Sequence, residues 1–235
     1  MIIKVFINEL FEKEVLWASV DKEFFSGLNY KSLNEYGNYL SKAIDTVDQL
    51  RVDDLMDQIL LRIDGLFNIY IVGNGGSAAN ANHIAGDFSK TFALLGKAIN
   101  ISSLADNACY ITAASNDLDY SQVYEILINT RVKNNDLLIF LSGSGNSMNL
   151  VKAARMAMGK GIKTCAIVGY SGGALKELVD IPVHVKINDM EISEDSQMAI
   201  FHYIKQKLYL KLDKSNNYMS KYNKRISEDL IAWFS

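Results

Sequence analysis

His83 and Asp87 stand four residues apart, and Glu194 precedes His202 by eight. On a helix the first pair shares a face, and the second shares a broad one after about two turns. If the two helices meet, two imidazoles and two carboxylates gather at one place. Such a group can hold a divalent metal ion, zinc for instance, or act as base and acid over a sugar carbonyl. Structural histidines beside surface carboxylates satisfy the same spacing, so the spacing leaves all these readings open. His184 is a different case: it alternates with Val183 and Val185 just after Pro182, the pattern of an edge strand with a surface role.

Two glycine-rich turns supply further chemistry. Gly73, Gly75 and Gly76, with Asn74 among them, precede Ser77. Glycine lets the chain turn tightly and lets a ligand approach the backbone. A helix starting at Ser77 would add unpaired N–H groups and a partial positive charge, which suits a phosphate or a hydroxyl. The second turn, 142–147, carries Ser142, Ser144 and Ser147 with Gly143 and Gly145. Hydroxyl and backbone donors without a built-in cation suit a phosphate monoester on a small polar molecule, whereas a plain helix cap would explain only one of the serines. Neither turn is a dinucleotide GxGxxG with its acidic partner, and neither holds the lysine of a P-loop, which disfavours nucleotides. Asn116-Asp117 follows an apolar stretch and either projects from a strand end or caps a helix near Asp119.

A regular scaffold has to position these residues. Leu33, Tyr36, Leu40, Ile44 and Val47 predict a helix over 31–48, and Leu55, Ile59 and Ile63 form a second stripe closed by Gly65. Strands are expected at 69–72, 99–101, 137–141, 164–168 and 183–185, with helices at 77–90, 119–131, 148–158 and 174–179 between them. The alternation predicts an α/β protein: a doubly wound five-stranded parallel sheet of flavodoxin-like type, with N-terminal helices before it and a long C-terminal helix after it. Both glycine turns then lie outside the carboxyl ends of strands, where such sheets bind ligands. A helical N-terminal extension over 1–30, a core domain over 31–210 and a helical tail over 211–235 complete the expected organisation.

Composition removes several classes of function. The 235 residues are 49% hydrophobic and carry a formal charge of −3, enough apolar material for one core and no basic surplus for direct nucleic-acid binding. The apolar opening is broken by Lys4, Asn8, Glu9 and Glu12, so neither a signal peptide nor a membrane span is expected, and the cytoplasm is the expected compartment. Cys109 and Cys165 are too few for a disulfide framework and match no short metal-ligand spacing; both are expected as free thiols.

Taken in order, GNGGSAANANHIAGDF at 73–88, ASND at 114–117, LSGSGNSMNLVKA at 141–153, the turn at 167–173 and EISEDSQMAIFHYI at 191–204 resemble the sugar isomerase (SIS) domain of the phosphoheptose isomerase family, over about residues 31–210. The resemblance implies a substrate set of Asn74, Gly75, Ser77, Asn116, Asp117, Ser142, Gly143, Ser144, Ser147 and Glu194, with Glu191 a further acidic residue near the site. It implies Asp87 as base with His202 as its partner in proton transfer, and His83, Asp87, Glu194 and His202 as the positions that hold a metal ion, zinc first, in some members. The activity implied is conversion of sedoheptulose 7-phosphate to D-glycero-D-manno-heptose 7-phosphate through an enediol or enediolate, without nicotinamide, in a homotetramer serving bacterial surface-glycan synthesis. Another phosphosugar, or a non-catalytic role in binding a replication-initiator protein, are the alternatives. Four positions depart from the family pattern: Asp87 stands for Glu, Glu194 for Gln, Gly143 for Thr, and Thr91, beside Lys90, for Arg.

Overall fold

The computed structural model describes residues 30–213, together with 220 and 224. The helical expectations for the N-terminal extension and for the tail beyond Asp213 fall outside the described residues.

Two helices open the domain. α1 (Leu33–Asp45) starts where the Ser32 hydroxyl accepts the Glu35 N–H, and α2 (Gln49–Leu60) starts where the Asp48 carboxylate accepts the Leu50 N–H. Each cap satisfies a donor that the first helical turn leaves without a partner. There follow β1 (Asn68–Gly73), α3 (Gly75–Leu94), β2 (Asn100–Ser103), α4 (Ala108–Asp117), α5 (Val123–Arg131), β3 (Leu137–Ser142), α6 (Met148–Gly159), β4 (Lys163–Val168), α7 (Gly173–Leu178), β5 (Ile181–His184) and α8 (Met190–Leu212).

The five strands are parallel in the order β2-β1-β3-β4-β5. Alternation splits their side chains between two cores. Ile69, Ile71, Leu137, Ile139, Leu141, Cys165 and Ile167 join α1, α2, α3 and α8 on one face, while Tyr70, Val72, Leu138, Phe140, Ala166 and Val168 join α4, α5, α6 and α7 on the other. Both faces being covered explains why the strands read as unbroken apolar runs. Because β1 connects outward to β2 on one side and the chain then crosses to β3 on the other, the order reverses between β1 and β3. A crevice opens there at the strands' carboxyl ends.

The structure departs from the sequence expectation at several boundaries. Residues 108–117 form α4, so Asn116 and Asp117 end a helix and do not project from a strand. The Asn107 side chain, which accepts the Tyr110 N–H at 3.0 Å, nucleates that helix, and a short apolar run cannot distinguish the two states by periodicity alone. α3 begins at Gly75 and runs to Leu94, longer at both ends than expected. β5 takes in Pro182, which is tolerated because the strand lies at the sheet edge, and α8 passes the expected boundary at 210.

Candidate active site

The crevice between β1 and β3 is a cup of about 200 Å³ lined by Asn74, Gly75, Gly76 and Ser77 from one turn, Ser142, Gly143, Ser144 and Ser147 from the other, and Met190 and Glu194 from α8. α3 and α6 both begin at its wall and present their first N–H groups, which have no partner inside the helix. The Ser142 hydroxyl accepts the Gly145 N–H at 3.0 Å and that of Ser144 accepts the Asn146 N–H at 3.2 Å, so the loop curls around its own serines. Gly145 has a φ of 68°, and a side chain there would overlap the Gly172 carbonyl. Asn74 and Asn149 exchange two amide hydrogen bonds of 2.9 Å, and the Tyr120 hydroxyl donates to Asn74 at 2.8 Å, which ties β1 to α6 at the rim. Asn116 and Asp117 are exposed, are bonded to each other, and do not line the cup.

Further along α3, His83 and Asp87 meet His202 of α8. One ligand atom from each lies within 4.8 Å of the others; the two imidazoles stack edge to face at 5.6 Å, and His202 Nε2 is 3.9 Å from Asp87 Oδ2. This His/Asp/His group has the donor types of a divalent-metal site. Lys205, three residues beyond His202, donates from its ammonium to the same Asp87 Oδ2. The donor set is that of a divalent-metal site, zinc included, and one oxygen of its carboxylate is also engaged by a cation of the chain. Burial, then the charge of Lys205, holds the His202 pKa below its ordinary 6.5, against the pull of Asp87. That shift favours the neutral imidazole.

Glu194 is not part of that group. Its carboxylate accepts the Ser77 hydroxyl at 3.3 Å and its side chain fills the space over Gly76, inside the cup. Ser77 also accepts from Gln197 at 3.1 Å, and Asn80 donates to the Glu194 carbonyl and to the Gln197 amide oxygen, each at 3.0 Å. With Phe88, Phe92 and Phe201 packed beneath, this network clamps α3 to α8 between the cup and the histidines. Lys205, Asn80, Gln197 and Tyr120 escaped the sequence reading. Only Lys205 carried a usable signal, its i, i+3 spacing from His202. His184 lies on the edge strand, half-buried, with Nε2 2.7 Å from the Tyr170 carbonyl, away from both sites. Cys109 is exposed and Cys165 buried, and both are free.

The sequence that builds this sheet is that of a SIS domain: the SIS domain family description matches residues 33–169. The phosphoheptose isomerase of Helicobacter pylori is 31% identical over 178 residues, covering 76% of this chain and 92% of that protein, and the one from Synechocystis is 31% identical over 165 residues, covering 70% and 85%. The chain belongs to the phosphoheptose isomerase family of SIS-domain enzymes. The solved phosphoheptose isomerase of Neisseria gonorrhoeae has the same fold, with a TM-score of 0.67 at 20% identity over 74% of this chain and 95% of that one.

Proposed function

We propose that this enzyme interconverts sedoheptulose 7-phosphate and D-glycero-D-manno-heptose 7-phosphate, with the phosphate in the Ser/Gly cup and the carbonyl end at His83, Asp87 and His202. The observation that carries this reading is the separation of the two sites. Six and ten residues of α3 divide Ser77 from His83 and Asp87, a rise of about 9 to 15 Å, so a ligand with its phosphate in the cup has to be long and extended to reach the second group.

In this mechanism Asp87 removes a proton from C1 of the ketose and forms the enediolate, then returns a proton to C2. The neutral His202 imidazole, which has one N–H and one free nitrogen, carries the hydroxyl proton from O1 to O2 and donates to the developing oxyanion. C1 and C2 exchange oxidation levels with no net redox change, so no nicotinamide is required. Zinc, if bound, would be held by His83, Asp87 and His202 and would polarise the carbonyl oxygen; with Lys205 on Asp87, no step is assigned to it. Ser142, Ser144 and Ser147 hold the phosphate. Glu194 accepts from sugar hydroxyls at the phosphate end, and Asn116 and Asp117 reach the substrate from outside the cup.

The wider assignment is a cytoplasmic homotetramer supplying heptose for a bacterial surface glycan such as lipopolysaccharide or capsule. Leu33, Leu50 and Leu61, large apolar side chains exposed on and beside α1 and α2, support the assembly. The one observation that favours a different phosphosugar is the Glu194 carboxylate in the cup, a charge that a phosphate has to tolerate. An assay of purified protein across seven-, six- and five-carbon sugar phosphates decides between them. Preference for the heptose establishes the proposal, and preference for a shorter sugar replaces it.

A further inference from the structure

We propose that Lys205 is the resident cation of this site: its ammonium takes the place that a divalent metal ion would occupy beside Asp87 and the two imidazoles, and it holds Asp87 for proton transfer. The positional half of this inference rests on the isomerase reading; the displacement of metal does not.

The geometry points to it in three ways. Lys205 and His202 lie three residues apart on α8 and face His83 and Asp87, four apart on α3, so both side chains of α8 that approach Asp87 come from one helix surface. The Lys205 and Asp87 side chains are only 19% and 16% exposed, so the pair is largely withdrawn from water, where separating it leaves an uncompensated charge. Both contacts to Asp87 are made at Oδ2, the oxygen nearest His202. A metal bound by this group has to share that oxygen with an ammonium, and like charges at such range repel strongly in a partly buried site. A charge-assisted hydrogen bond fixes the carboxylate rotamer as a metal would, and Oδ1 is left to take the proton from carbon.

The remaining neighbours agree. Glu194, the only other carboxylate expected in the group, is engaged with Ser77, so the cluster has one negative charge and Lys205 balances it. A second carboxylate at this point would have called for a divalent ion.

The test uses the full-length protein, dialysed against chelator and titrated calorimetrically with zinc chloride. Lys205→Met keeps the length of the side chain and removes the charge; Lys205→Arg keeps the charge. The Met variant is expected to bind one zinc ion about 100-fold more tightly than wild type, and His83→Ala added to it removes the gain. The Arg variant stays at the wild-type level. Wild-type turnover survives chelation, and the Met variant loses about tenfold or more in kcat while Arg restores part of it. Lys205→Gln, checked by circular dichroism, serves in place of Met should that protein fail to fold. Equal zinc affinity in wild type and the Met or Gln variant overturns the inference, and so does wild-type activity that vanishes with chelator and returns with zinc. A wild type inert toward every sugar phosphate, yet showing the expected gain in zinc affinity, removes the isomerase reading and leaves the resident cation standing.

Discussion

Asp87 is one methylene shorter than glutamate, so as the proposed base it depends on being held in place. α8 carries His202 and Lys205 to one of its oxygens. Asp87→Asn retains size and removes the base, so kcat is expected to fall by roughly 100-fold or more, and hydrogen exchange from solvent at C1 should fall with it. Exchange at the wild-type rate in that variant would assign the base elsewhere. The i, i+4 spacing made His83 and Asp87 recognisable as a pair before any coordinates. Glu194, expected both in the substrate set and among the metal positions, lines the cup and stands apart from the His/Asp/His group, for a reason found in the same helix geometry: eight residues turn through about 80° beyond two full turns. That rotation carries its carboxylate off the His202 face and onto Ser77. Lys205 was passed over because lysine on an amphipathic helix is ordinarily solvated, and only the packing of α3 on α8 shows that this one is withdrawn.

At the scale of elements, the alternation of apolar runs and glycine turns was sufficient to place the sheet and both site loops, because each strand is buried on two faces and each turn demands special backbone angles. α4 was not foreseen, since its ten residues have little amphipathic pattern and its start depends on one cap. The polar clamp between α3 and α8 was likewise invisible, for it joins residues 114 to 120 positions apart. Gln197 is 1% exposed at its centre. Gln197→Leu keeps the volume and leaves Ser77 and Asn80 short of partners, so urea unfolding should show a loss of about 1–3 kcal/mol. His184 permits a second test. Burial lowers its pKa below the ordinary 6.5, with the Tyr170 carbonyl opposing and Lys176 and Lys186 adding to the shift. Below that value the unfolded chain takes up the proton before the folded one does. Its contribution to stability is therefore complete above pH 6.5 and is lost as pH falls toward the folded pKa. Urea midpoints measured from about pH 7.5 down to 5.5 should decline, and His184→Gln should flatten part of that decline.

Seen as a whole, the molecule uses one pair of parallel helices as a ruler. α3 and α8 both start at the cup and run side by side past the histidines, so the distance from the cup to Asp87 is set by helical rise and by a buried clamp. A ligand anchored at one end is measured at the other. On the proposed reading a seven-carbon chain is the one that reaches Asp87 with its phosphate seated, whereas a five-carbon chain, shorter by two carbon–carbon bonds, must leave the cup partly empty or hold its carbonyl short of the carboxylate. The binding energy of the phosphate is then no longer available to align C1 with Asp87, and loss of that kind falls on kcat as well as on KM. Steady-state assays at saturating substrate should accordingly show kcat falling in the order seven, six and five carbons, by roughly 100-fold or more across the series, since misplacement by about 1 Å already costs that much. Inorganic phosphate should inhibit all three competitively through the shared cup. If the sugars differ only in KM, at a common kcat, the α3 and α8 spacing does not measure the substrate and the phosphate binds somewhere other than between the two glycine turns.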